Sequence, residues 1–282
     1  MRQGRDPLRD RIPRVSPSEA DGAGAMRVQV NVPTFNEAVN IEEFLHRTRA
    51  AVPDADILVL DDNSPDGTAD LAEKVADELG HIEVLRRPAK RGLGSAYRAG
   101  FGVGIDRGYD LLTQIDADLS HDPAVLPELI AAVHSGADMV IGSRYVPGGA
   151  IPHWPALRRA ASRYGNQYAR AMLGYDVQDS TSGYRVFRAR TLLDIEYDRT
   201  KANGYLFQIE LAYRVALIGG RITEVPITFT DRVRGNSKMN WQVVAEEMTY
   251  VSWWGMRDRI RPHWRGARLK PALAHGLRPI ST

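Results

Sequence analysis

The sequence contains no cysteine. This absence excludes a disulfide-stabilised fold, a metal site with thiolate ligands and a thiol nucleophile. Long apolar runs are also missing, because segments such as 57–60 and 251–254 are far shorter than the roughly 20 residues of a membrane-spanning helix. The charged amino-terminal residues lack the apolar centre of a secretory signal. We therefore expect neither a spanning helix nor a signal peptide.

The chain has 282 residues, of which 43% are hydrophobic and 26% are charged. These fractions are typical of a globular protein with a sizeable core. The length suits two average domains or one large α/β domain. Because no linker-like segment interrupts residues 26–255, we predict a single domain there, preceded by a disordered arm at 1–25.

Basic residues are concentrated at the carboxyl end. Residues 256–282 hold seven Lys and Arg against one Asp, whereas the whole chain carries a net charge of only +2. A basic tail of this kind suits nucleic acid, an anionic membrane surface, or no partner at all as a solvated end. We define residues 256–282 as the basic tail.

Short apolar segments alternate with helical patterns over the first half of the domain. This alternation predicts an α/β fold with a mostly parallel sheet and helices on both faces, in which ligands bind beyond the carboxyl ends of the strands. The predicted strands are 28–32, 57–60, 82–85, 111–115, 139–141, 184–188 and 222–229. Helices are predicted over 38–51, around 71–79, and over 93–107, 122–136, 156–173, 206–218 and 240–258.

Two carboxylates, Asp116 and Asp118, follow the predicted strand 111–115. Hard divalent cations such as Mg²⁺ and Mn²⁺ take oxygen ligands from one or two carboxylates and from substrate phosphates. A plain polar loop is the other interpretation of the same pattern. Asp61 and Asp62 also follow a strand, and they suit either a nucleobase and ribose or ordinary turn chemistry. Together with residues 33–37, these loops predict a nucleotide pocket.

Cations follow the later strands. Arg binds phosphate through a bidentate fork and Lys through a point charge. Each of these residues alone suits a solvated surface, but the set favours two phosphorylated substrates. A dinucleotide-dependent oxidoreductase is disfavoured, because no Gly-x-Gly-x-x-Gly follows the first strand. The histidines form no spacing typical of a metal site. The cations are Arg144, Arg158, Arg159, Arg163, Arg232, Arg234 and Lys238.

Four segments, 32–37, 61–68, 116–121 and 231–238, resemble the dolichol-phosphate (polyprenol monophosphate) mannose synthases, within family 2 of the inverting GT-A glycosyltransferases. The resemblance implies a Rossmann-like GT-A fold and mannose transfer from GDP-mannose to a polyprenyl monophosphate with Mg²⁺ or Mn²⁺. Because that acceptor is lipid-borne and no spanning helix is predicted, we expect the basic tail and the aromatic helix ending at Trp253 and Trp254 to attach the protein peripherally to the cytoplasmic face of a membrane. A nucleic-acid partner is not expected, and a separate anchoring protein is left open. A polyprenyl-phosphate glucosyltransferase using UDP-glucose is the nearest alternative, and an oxidoreductase a remote one.

The resemblance also assigns site residues, carried over position by position. Phe35 stands where Tyr is common, and Ser120 where some relatives have Gln. The residues implied at the nucleotide are Pro33, Phe35, Glu37, Leu60 and Asp62. Those implied at the diphosphate and metal are Asp116, Ala117, Asp118 and Ser120, with Asp118 as the principal ligand. Arg144, Arg232 and Lys238 are implied at phosphate and, with Asp118, in catalysis. Arg158 and Ser162 are implied at the lipid phosphate.

Overall fold

The computed structural model describes residues 26–231 and 241–260, with side chains of the last helix described from 248 to 258. Within these residues a seven-stranded sheet has the order β3-β2-β1-β4-β6-β5-β7. The strands are β1 Val28–Thr34, β2 Asp56–Asp61, β3 Ile82–Arg86, β4 Leu111–Gln114, β5 Met139–Ser143, β6 Arg185–Arg188 and β7 Ile222–Pro226.

The predicted mostly parallel sheet is confirmed, with one reversal. β1 pairs in parallel with β2 and β4, β2 with β3, and β5 with β7. β6 lies between β4 and β5 and runs antiparallel to both. The carboxyl ends of the parallel strands therefore share one edge, as a ligand site of this architecture requires.

Helices cover both faces of the sheet, as predicted. One apolar cluster joins α1, α2 and α4 to one face, and a second joins α3, α5, α6, α7 and α8 to the other. The helices are α1 Ile41–Ala51, α2 Thr68–Leu79, α3 Leu93–Asp106, α4 Leu126–His134, α5 Ala156–Leu173, α6 Ala189–Asp194, α7 Gly204–Leu217 and α8 Trp241–Ile260.

The glycines of α3 let this helix approach the sheet closely. A Cβ at Gly100 would lie 2.3 Å from Asn31 Oδ1, and one at Gly104 would lie 2.2 Å from Leu112 Cδ2. Glycine lowers helix propensity, but here the close packing of α3 against β1 and β4 requires it.

Several boundaries differ from the predictions. Residues 38–40 form a turn before α1, the predicted strand 184–188 begins at Arg185, and the predicted strand 222–229 ends at Pro226. The short helix α6 was not predicted. The predicted arm at 1–25 and residues 261–282 of the basic tail lie outside the described residues. Among the helices that are described, none is both long and apolar enough to cross a membrane.

Candidate active site

The end of β2 carries two acids with different environments. Asp61 accepts hydrogen bonds from Thr34 Oγ1 at 2.9 Å and from Ser64 N and Oγ at 2.9 and 2.6 Å, so it organises the turn that follows. Asp62 is buried, forms an ion pair with Arg87 and accepts a bond from Arg91 N at 3.2 Å. The carboxylate of Asp62 is thereby fixed at the edge of the predicted nucleotide pocket.

The loop after β1 lies beside the turn that Asp61 organises. The Lys90 ammonium is 3.7 Å from the centre of the Phe35 ring, within the range of a cation–π contact. The Glu37 carboxylate accepts a hydrogen bond from Asn40 Nδ2 at 2.9 Å, and Pro33 is half-buried. Leu60 differs from these residues, because its side chain is fully buried in a small apolar cluster with Ala96. The side chain of Leu60 is therefore not exposed to the predicted nucleotide pocket.

Asp116 and Asp118 lie in the loop after β4 and are separated by the buried Ala117. Asp116 Oδ1 accepts a hydrogen bond from Tyr97 Oη at 3.1 Å. Burial raises the pKa of Tyr97 well above its usual value, so the hydroxyl stays protonated and remains a donor. Asp118 Oδ1 accepts bonds from the backbone N of Ser120, at 3.0 Å, and from its hydroxyl.

These residues fit a hard divalent cation. Two carboxylates and a hydroxyl offer only oxygen donors, which Mg²⁺ and Mn²⁺ prefer. Among the residues that the structure describes, no group of three or more acidic or histidine side chains could hold a metal unaided. Substrate phosphates and water would therefore have to complete the coordination shell.

Arg144 follows β5 and is held by a buried carboxylate. Its Nε and Nη2 donate to the two oxygens of Asp179, each at 2.6 Å, and its backbone N donates to Asp179 Oδ2 at 3.0 Å. Burial raises the pKa of Asp179, but the charge and hydrogen bonds of Arg144 outweigh burial and hold the pKa below its usual value. The predicted phosphate-binding guanidinium is thus bound on two nitrogens by a residue 35 positions away.

A second arginine group lies on α5. The Arg158 guanidinium is 3.9 Å from the centre of the Trp154 ring, and Arg158 Nη1 and Trp154 Nε1 both donate to Asp231 Oδ1, at 3.1 and 2.8 Å. One turn along α5, Ser162 Oγ accepts a bond from Tyr145 Oη at 2.7 Å. The predicted pair therefore shares a helix face. Arg232 and Lys238 lie outside the described residues.

Other groups at this edge were not predicted. His121 is buried between the rings of Tyr184 and Phe229, at 5.2 and 5.1 Å between ring centres. Burial lowers the pKa of His121 to about 4, so the imidazole is neutral at pH 7. Arg185, which is fully buried, donates to the carbonyl oxygens of Ser180, Ser182 and Gln208 at 2.6, 2.7 and 2.6 Å. It thereby ties the loop before β6 to α7.

The sheet order, the helices on both faces and the carboxylates at the strand ends are those of the GT-A fold. Glucosyl-3-phosphoglycerate synthase from Mycobacterium tuberculosis, solved with Mn²⁺, UDP and glucosyl-3-phosphoglycerate, superposes with a TM-score of 0.58 at 21% identity, over 80% of this chain and 77% of that one. A mannosyltransferase from Pyrobaculum calidifontis, in complex with GDP-Man and Mn²⁺, also superposes with a TM-score of 0.58. It is 17% identical, over 85% of this chain and 65% of that one. Both show the fold alone.

Sequence comparison specifies the family. Residues 29–195 match glycosyl transferase family 2, and the chain belongs to this family. The undecaprenyl-phosphate mannosyltransferase of Micrococcus luteus is 48% identical over 88% of this chain and all of its own length. The polyprenol monophosphomannose synthase of Mycolicibacterium smegmatis is 45% identical over 83% of this chain and 89% of its own.

Proposed function

We propose that the protein transfers mannose from GDP-mannose to the phosphate of a polyprenyl monophosphate, with inversion at the anomeric carbon. The observation that carries the proposal is the strand-end site, where Asp116 and Asp118 lie at the same edge as Asp62. The names and identities of the two curated relatives support the acceptor and the sugar.

The reaction needs no general base. A phosphate monoester has a second pKa of about 6, so at pH 7 it is largely dianionic and can attack the anomeric carbon itself. The new bond forms between a phosphate oxygen and that carbon, while the bond from the carbon to the diphosphate breaks and GDP leaves with its electrons. Because no general base is needed, the role of Asp179 in this mechanism is that of the ion-pair partner of Arg144.

The protein's task is then to hold two anions together. Asp62 and Phe35 position the nucleoside, while Arg158 and Ser162 take the acceptor phosphate. Asp116 and Asp118 would hold Mg²⁺ or Mn²⁺, whose chemistry is to neutralise the departing diphosphate. Arg144, Arg232 and Lys238 complete the cationic side of the site.

The acceptor is lipid-borne, so the proposed place of action is a membrane surface. We assign the protein to the cytoplasmic face, bound peripherally through the basic tail. Nucleic acid is not among the proposed partners.

The test uses purified protein with undecaprenyl phosphate, GDP-[¹⁴C]mannose and either Mg²⁺ or Mn²⁺. We expect a radioactive lipid whose sugar is β-linked by NMR, and no product from Asp118→Ala. UDP-glucose forms the second arm, and thermal protection by GDP-mannose, UDP-glucose and NAD is measured in parallel. Glucose transfer in place of mannose transfer, or protection by NAD alone, would refute the proposal.

A further inference from the structure

A buried side-chain amide lies near the site. Gln208 lies on α7 and is 1% exposed, yet neither its Oε1 nor its Nε2 has a hydrogen-bond partner among the described residues. Its backbone is fixed, because its carbonyl oxygen accepts a bond from Arg185. A buried amide without partners is unfavourable, and natural proteins keep such groups where water or a ligand completes the hydrogen bonds.

Gly183 shows where this amide lies relative to the carboxylates. A Cβ built on Gly183 would be 3.4 Å from Asp116 Oδ2 and 3.9 Å from Gln208 Nε2. The hydrogen of glycine therefore leaves a methyl-sized gap next to both the Asp116 carboxylate and the Gln208 amide. Gly183 itself is partly exposed to solvent.

The chemistry of the gap favours a hydroxyl group over a phosphate. A carboxylate accepts hydrogen bonds and repels an anion, while an amide both donates and accepts. A sugar hydroxyl has the same dual capacity.

We propose that Gln208 binds a hydroxyl of the donor hexose, and that Gly183 keeps the space for this hydroxyl open beside Asp116. This inference rests on the proposed function, because it places the hexose at the end of the diphosphate that Asp116 and Asp118 serve. Gln208 is then a residue that recognises the sugar and contributes nothing to binding the nucleotide.

Calorimetry with Mn²⁺ tests the inference by comparing GDP-mannose with GDP. For Gln208→Leu we expect the Kd of GDP-mannose to rise about tenfold, the factor that corresponds to 1.4 kcal/mol, while the Kd of GDP changes less than twofold. Gly183→Ala should behave in the same way, because its methyl group fills the gap. Both distances to that methyl are ordinary van der Waals contacts, so this variant carries the test if Gln208→Leu does not fold.

The matched control is Gly165→Ala on α5, where an added Cβ meets no atom within 4 Å. It should leave both dissociation constants unchanged. An equal loss of GDP and GDP-mannose affinity, or no loss of either, in a folded variant would overturn the inference. If the wild-type protein binds UDP-glucose and not GDP-mannose, the proposed function fails. The role of Gln208 is then tested separately with UDP-glucose against UDP.

Discussion

At the residue scale, the Arg144–Asp179 pair makes the clearest energetic prediction. Removing one member of a buried ion pair leaves the other charge unpaired, at a cost of about 3–5 kcal/mol. Asp179→Asn should therefore lower the free energy of unfolding by about that amount at pH 7, as measured by urea denaturation. A variant as stable as the wild type would show that the pair contributes little.

The same ion pair predicts how the difference in free energy of unfolding between wild type and Asp179→Asn depends on pH. The pKa of Asp179 is depressed in the folded protein, so its stabilisation is complete above the unfolded pKa of about 3.9. It is lost as the pH falls through the lower folded value. The difference in free energy of unfolding between wild type and Asp179→Asn should thus be constant from pH 7 to 5 and decrease below about pH 4.

Arg158 carries the prediction about the acceptor. A charge-assisted hydrogen bond contributes about 1.5–3 kcal/mol, so Arg158→Ala should raise the acceptor KM by roughly tenfold to a hundredfold. Donor affinity should barely change. Arg158→Lys should recover only part of the loss, because it lacks both the planar fork and the stacking on Trp154. Loss of donor binding with an unchanged acceptor KM would reverse the assignment of the two sites.

Sequence patterns placed the candidate acids at the strand ends but did not indicate their partners. Asp62 and Asp116 were candidates because they come just after apolar strands, and Asp118 because it lies two residues beyond Asp116. The ion pair of Arg144 with Asp179, and the gap between Gly183 and Gln208, depend on how distant segments pack. No local spacing encodes those contacts.

At the element scale, α8 packs closely on α5. A Cβ on Gly255 would lie 2.4 Å from the Met172 carbonyl oxygen, a backbone atom that cannot move aside cheaply. Gly255→Ala should therefore destabilise the protein, by about 1–3 kcal/mol, although alanine is the better helix former. Gly165→Ala on α5 is the matched control and should stabilise by about 0.5–1 kcal/mol. Urea denaturation of both variants checks the opposite signs.

Elements with a strong hydrophobic period were predictable, and short ones were not. Helix α5 was predicted over 156–173 and is found at Ala156–Leu173. The direction of β6 was not predicted, because four residues carry no signal that distinguishes parallel from antiparallel pairing. Helix α6 was missed for a related reason, since six residues are too few to show a helical period.

At the scale of the whole molecule, the prediction concerns membrane binding. Residues 261–282 contain five basic residues and no acidic one, and each basic residue near an anionic surface contributes about 1 kcal/mol. Deleting them should lower affinity for phosphatidylglycerol vesicles by at least about tenfold at 0.1 M salt, measured by co-sedimentation. Added salt should weaken wild-type binding. Binding that neither the deletion nor salt alters would exclude residues 261–282 from the interaction.

The reversed strand β6 also constrains the order in which the chain can fold during synthesis. β4 and β5 emerge first, but they do not pair with each other, since β6 must be inserted between them. Until residues 185–188 leave the ribosome, β4 has one unpaired edge. Both edges of β5 are also unpaired, because its partners β6 and β7 have not been synthesised. Unpaired edges are templates for aggregation. The nascent amino-terminal half therefore passes through a period in which three strand edges, one of β4 and both of β5, are open to aggregation or to a chaperone.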